Sequence, residues 1–128
     1  MQKVLRHEGV SQAILSIAFV TGSQIQSLNK KFLNRGYLTD VLAFDLSTEG
    51  LARSSRRTIR QIEGEIVICP ATAIKNAAIF KTSPTQELVL YIIHGILHLL
   101  GYDDHRPVDI KRMREKEAEL MKLTGVLK

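Results

Sequence analysis

Residues 65–101 read EIVICPATAIKNAAIFKTSPTQELVLYIIHGILHLLG, and the fold is argued outward from them. Glu65 to Cys69 is a short apolar run rich in β-branched residues, which predicts a strand. Pro70 suits the end of that strand and is followed by a helix over ATAIKNAAIF. Cys69 then reads as a small core residue. Pro84 opens a second helix, PTQELVLYIIHGILHLL, which stops at Gly101. Proline at the start and glycine at the end is the usual helical asymmetry.

Upstream, Ile14 to Val20 predicts a strand, and Thr21-Gly22-Ser23 a turn in which Ser23 caps the next helix. That helix covers QIQSLNKKFL, with Ile25, Leu28 and Phe32 at three-and-four spacing, and ends at Asn34, Arg35 and Gly36. Asp40 to Leu46 predicts another strand. Ser47 to Gln61 reads as a loop carrying Arg53, Arg56, Arg57 and Arg60, either a solvated loop or one that contacts phosphates. Downstream, a last helix begins near Pro107 and runs through DIKRMREKEAELMKL, with Ile110, Met113, Ala118, Leu120 and Met121 on an irregular apolar face. Mixed strands and helices, with the helices after the third strand consecutive, favour an α+β fold. The expected architecture is a small mixed β-sheet packed against several helices, in one domain spanning residues 1–128 and containing a zinc-hydrolase-like cleft.

A chain of 128 residues, 45% hydrophobic and 24% charged, can bury a core without disulfides or metal staples. Any metal is therefore expected to serve function rather than folding. The net charge of +5 suits a polyanionic partner, nucleic acid or an anionic membrane surface, without choosing between them. The single cysteine, Cys69, excludes an intrachain disulfide and fits a reducing compartment. The first residues lack a signal-peptide layout, and no apolar run is long enough for a membrane span. The expected location is the cytoplasm.

The chemistry concentrates in HGILHLLGYDDH, residues 94–105. His94 and His98 are four apart on the predicted helix, so they share a face. Two imidazoles so placed can reach one zinc ion at about 2.0–2.1 Å. Gly101 ends the helix and lets the chain turn back, which brings His105 towards the same ion. Three protein ligands and one open position is the catalytic pattern, in which zinc activates water and polarises a carbonyl or phosphoryl oxygen. A lone histidine on an apolar helix is ordinarily a packed core residue, but this pair is followed by a helix stop and a third histidine. The zinc-protease pattern H-E-x-x-H has its general base after the first histidine; here that position is Gly95. His7 lies near the terminus and is left out of the site.

These residues resemble the YbeY family of bacterial endoribonucleases, whose hallmark is H-G-x-L-H-L-x-G-Y-D-H. The resemblance extends to Thr39-Asp40-Val41-Leu42-Ala43-Phe44, similar to the family's T-D/N-V-L-S-F, and to Gly64-Glu65-Ile66-Val67-Ile68, similar to G-D-I/L-V-I. Leu28-Asn29 also matches. It implies a zinc-dependent endoribonuclease that prefers single strands, with one zinc per chain held by His94, His98 and His105. It also implies partners: ribosomal RNA and the small ribosomal subunit, in RNA 3′-end maturation and ribosome quality control. Two departures stand out. The family has one aspartate before the last histidine, whereas this chain has Asp103 and Asp104; His105 is taken as the third ligand, with Asp104 as the alternative. The family's functional arginine aligns with Leu33, and Arg35, two residues on in FLNRGYLTDV, is the candidate to replace it. His94 and Arg35 are the candidate catalytic residues. Two rival readings are another zinc hydrolase, a peptidase or amidase, and a non-catalytic ribosome-assembly factor whose metal clamps the C-terminal helices.

Overall fold

The computed structural model describes residues 1–33, 41–46 and 60–126. In chain order its elements are α1 (Gln2–His7), β1 (Val10–Phe19), α2 (Gly22–Leu33), β2 (Val41–Asp45), β3 (Arg60–Ile68), α3 (Pro70–Phe80), α4 (Pro84–Leu99) and α5 (Pro107–Thr124). The three strands form one mixed sheet in the order β1-β3-β2, with β3 parallel to β1 and antiparallel to β2. This is the expected α+β arrangement of a small sheet against helices.

Both faces of the sheet are covered at β3, its central strand, whereas β1 is largely exposed. Successive side chains alternate between faces. Ile62, Ile66 and Ile68 point into one core with Ala73 of α3 and Tyr91, Ile96 and Leu99 of α4. Val67 points the other way, into a second core with Ile25 of α2 and Leu42 of β2, where Cys69 is also buried. The far side of α4 forms a third core: Ile93 and Leu97 meet Val4 of α1 and Met113, Leu120 and Met121 of α5. α4 is thus buried on two sides.

Several boundaries differ from the expected ones for identifiable reasons. β1 starts at Val10 rather than Ile14, and β3 at Arg60 rather than Glu65, because the two strands pair in parallel through the polar stretch, Gln12 against Gln61 and Ile14 against Glu63. The cap of α2 is Thr21, not Ser23: Gln24 N–H donates to Thr21 Oγ1 at 3.1 Å, and Thr21 N–H donates to Gln24 Oε1 at 2.9 Å. That is a reciprocal capping box. α4 has the same device, with Ser83 and Gln86 at 3.0 and 3.1 Å. The chain also begins with a helix the sequence did not announce. A six-residue helix has little stability of its own. Fully buried Val4 anchors α1, and Lys116 of α5 pairs with Glu8 just beyond it at 2.9 Å. The loop expected over Ser47–Gln61, with Arg53, Arg56 and Arg57, falls largely outside the described residues, as does Arg35; Arg60 opens β3.

Gly95 sets the distance between α4 and the sheet. A Cβ at that position would lie 2.9–3.0 Å from three carbons of Ile66, a fully buried side chain in the middle of β3. We expect Gly95→Ala to destabilise the fold by about 1–3 kcal/mol, the usual cost of overpacking. In denaturant titrations Ile66→Val should cost less in the Gly95→Ala background than alone, since it removes part of the clash. Equal costs in both backgrounds would show that the helix does not rest on Ile66.

Candidate metal centre

α4 presents His94 and His98 one turn apart along the strip between its two buried faces. Their Nε2 atoms lie 3.0 Å apart. Asp104 Oδ2 lies 3.6 Å from His94 Nε2 and 3.7 Å from His98 Nε2. Two donors held about 2.0–2.1 Å from one tetrahedral ion stand about 3.3–3.4 Å apart. The three distances bracket that value, and two imidazoles with one carboxylate are an accepted zinc donor set. The residues present therefore fit a zinc ion. Among the described residues this group has three members, His94, His98 and Asp104.

His105, the expected third donor, stands apart. Its ring is 63% exposed, and its Nδ1 lies 2.6 Å from Asp103 Oδ1. The reason lies in how the helix ends. Gly101 takes φ +103°, its N–H donates to His98 O at 3.0 Å, and Tyr102 N–H donates to Leu97 O at 2.9 Å. This paired closure is the Schellman motif, and only glycine adopts the required φ without strain. Tyr102 then packs against the α4–α5 core. Beyond it the side chains alternate: Tyr102 and Asp104 are half-buried, Asp103 and His105 exposed. Asp104 faces the histidines, and Asp103 and His105 pair on the outside.

His94 is aimed by a residue that the sequence reading missed. Its Nδ1 lies 2.6 Å from Glu117 Oε2, which leaves Nε2 turned to the cluster. With Nδ1–H donating to the carboxylate, Nε2 carries the free lone pair a metal needs. Glu117 is buried on α5, and Arg114 Nη1 donates to both its oxygens at 2.8 and 3.0 Å. Burial works to raise the Glu117 carboxyl, and the His94 and Arg114 hydrogen bonds outweigh it, holding the group below the ordinary carboxylate range. A signal was present: Met113, Leu120 and Met121 define an inward face that includes position 117, so an acid there had to find a partner. For His98, burial is the main cause that lowers its pKa, assisted by neighbouring His94, against the raising effects of Asp104, Asp103 and the Tyr102 backbone. The balance favours the neutral imidazole, the form that binds metal.

The cluster borders a cleft of about 710 Å³ lined by His94, Asp104, Arg114 and Glu117 together with Asn76, Phe80 and Tyr91. Gly95 is not part of it. Its missing side chain faces Ile66, so a glutamate in the zinc-protease position would drive into the sheet rather than reach substrate.

Residues 1–125 match the family Endoribonuclease YbeY. A relative of that name from Salinibacter ruber is 40% identical over 121 residues, covering 94% of this chain and 76% of the relative. Another, from Anaeromyxobacter dehalogenans, is 40% identical over 119 residues, covering 93% of this chain but 58% of its own length. A solution structure from Thermotoga maritima superposes with a TM-score of 0.59 at 30% identity, covering 94% of this chain and 75% of that one. A mixed α+β domain in which two histidines of one helix meet a carboxylate from the turn that follows it is the class of protein defined by fold and site. The chain belongs to the YbeY family.

Two outcomes follow from Glu117. Glu117→Gln, which keeps the shape but not the charge, should weaken zinc binding about 10–100-fold in competition with a chromophoric chelator; unchanged affinity would separate Glu117 from the site. For the metal-free protein, both shifted groups resist protonation in the folded state. Between the ordinary histidine value of about 6.5 and the lowered His98 value, and again below the ordinary glutamate value of about 4.3, the unfolded chain binds more protons. Stability should therefore fall as pH drops through each window. His98→Ala should remove the upper step and Glu117→Gln should shrink the lower one, to which Asp109 and Glu119 also contribute, in denaturation curves taken across pH.

Proposed function

We propose that this chain is a metal-dependent endoribonuclease that hydrolyses phosphodiesters of single-stranded RNA, with one zinc per chain as its working metal. The observation that carries the reading is the convergence of His94 Nε2, His98 Nε2 and Asp104 Oδ2 within 3.0–3.7 Å of one another at the edge of an open cleft. Family membership supplies the reaction class, and the net charge of +5 suits a polyanionic substrate. The natural substrate on this reading is small-subunit ribosomal RNA near its 3′ end, within a cytoplasmic role in ribosome maturation and quality control.

Zinc in such a site supplies Lewis-acid activation of water and of a phosphoryl oxygen. The chain's own residues hold and orient. His94 offers Nε2 because Glu117 holds the proton of Nδ1 on the other side of the ring. His98 offers an imidazole whose neutral form burial favours. Asp104 closes the third position, with His105 the alternative donor from the same turn. Arg114, fixed by Glu117 and exposed to the cleft, presents positive charge where a phosphate would lie. Arg35, the candidate to replace the family's arginine, and Arg53, Arg56, Arg57 and Arg60 are assigned to phosphate contacts on the same reading.

The test uses purified protein with defined zinc on single-stranded RNA and on peptides. RNA cleavage lost in His98→Ala, with peptides untouched, is the expected result; peptide hydrolysis, or RNA cleavage surviving in the variant, would overturn the reading. Zinc content should be about one per chain and lost in the His94→Ala, His98→Ala double variant. Removing zinc should lower stability without unfolding the chain, since the core stands on its own. The third donor is decided by ranking zinc affinities. Asp104→Ala should lose more than His105→Ala, and the reverse order would assign the position to His105.

A further inference from the structure

Resting on the reading of the chain as an RNA-cleaving protein, we propose that the α3 wall of the cleft is a nucleobase subsite. Phe80 is its stacking surface, the Asn76 amide meets the edge of the base, and Arg114 holds the adjoining phosphate.

Phe80 lines the cleft yet is 63% exposed. Phe19 and Phe80 are both exposed among the described residues, and Phe80 is the one that stands beside the metal cluster. It occupies the last residue of α3, where Lys81, at φ +58°, stops the helix. Asn76 lies one turn earlier and so on the same face as Phe80. Its Nδ2 donates to the hydroxyl of buried Tyr91 at 2.7 Å, which fixes the amide plane. Among the described residues the Asn76 carbonyl oxygen accepts no hydrogen bond, and it remains an acceptor for a base amino or imino group. Tyr91 and His94 are three apart on α4, so the path from Phe80 through Asn76 and Tyr91 to the metal ligand is a continuous run of neighbours.

Charge agrees with this assignment. Each carboxylate lining the cleft already has a partner: Glu117 has His94 and Arg114, Asp104 has the two histidines, and buried Glu87 accepts from Thr82 Oγ1 at 2.7 Å. Arg114 uses only Nη1 on Glu117 among the described residues and is 62% exposed. Its remaining donors can take a phosphate. An aromatic face, an amide and a guanidinium in one cleft are the elements of recognition of an unpaired nucleotide. A base can lie on Phe80 only if it is free of its own stack, so the site selects single strands.

The absence of tryptophan makes Phe80→Trp a single-site reporter. In the zinc-loaded protein its emission should be quenched by a short single-stranded RNA and not by an abasic strand of the same length. Phe80→Ala should bind the RNA about 5–150-fold more weakly, the range for losing one stacked base, with zinc content unchanged, and Phe80→Tyr should restore affinity. Equal affinity in Phe80→Ala together with no quenching in Phe80→Trp, while the unaltered protein binds RNA, overturns the subsite alone. Failure of the unaltered protein to bind or cleave the strand removes the parent reading, and the subsite with it.

Discussion

α4 lies so close to β3 that only a glycine fits at position 95, and the rest of the structure is arranged around that approach. With Ile96 and Leu99 pressed on the sheet and Ile93 and Leu97 pressed on α5, the helix has little surface left. His94 and His98 occupy that remaining strip. Rotation of α4 by even a fraction of a turn would take the histidines into one core or the other, so the packing that stabilises the fold also fixes the bearing of the two imidazoles. A histidine pair on a helix free to roll would bind metal in several orientations. Here apolar burial on both flanks removes that freedom before any metal arrives.

Most of this architecture could be read from apolar spacing. EIVIC, the proline starts at Pro70, Pro84 and Pro107 and the glycine stop at Gly101 mark the elements that bury the most surface, and the limits of the three helices are nearly those observed, whereas β3 begins five residues earlier. The misread parts depend on partners distant in sequence. Gln61 and Gln12 look like loop residues until the two strands are paired. Residues 2–7 look like a frayed end until Val4 finds its place between α4 and α5. Local pattern cannot supply either fact, because the stabilising contact lies about a hundred residues away in the case of α1 and α5.

The site divides in the same way. His94 and His98 belong to one helix, and i to i+4 geometry is local. Which residue joins them depends on which part of an irregular turn faces inward, and a shift of one position exchanges Asp104 for His105. That phase is set by Tyr102, whose burial fixes the alternation after it. The tyrosine was visible in the sequence; its anchoring role was not. Glu117 was legible only indirectly, through the inward face that Met113, Leu120 and Met121 mark around it. On a helix with as many charges as α5, one acid among several shows its importance only when its burial is known.

Glu117 is also where fold and site meet energetically. A buried carboxylate is expensive to desolvate, and removing its partners from such a group costs several kcal/mol. Two groups offset that cost here, Arg114 from the solvent side and His94 from the metal side. An apolar residue at 117 would pack between Met113 and Leu120 without needing any compensation. The acid is therefore better explained by what it does to His94 than by what it adds to the core. Because it sits on the helix whose Met113, Leu120 and Met121 bury the outer face of α4, the orienting hydrogen bond forms only when that core is assembled. Docking of α5 thus completes two things at once: the apolar cover of the histidine helix, and the hydrogen bond that leaves one imidazole nitrogen bare toward the cleft.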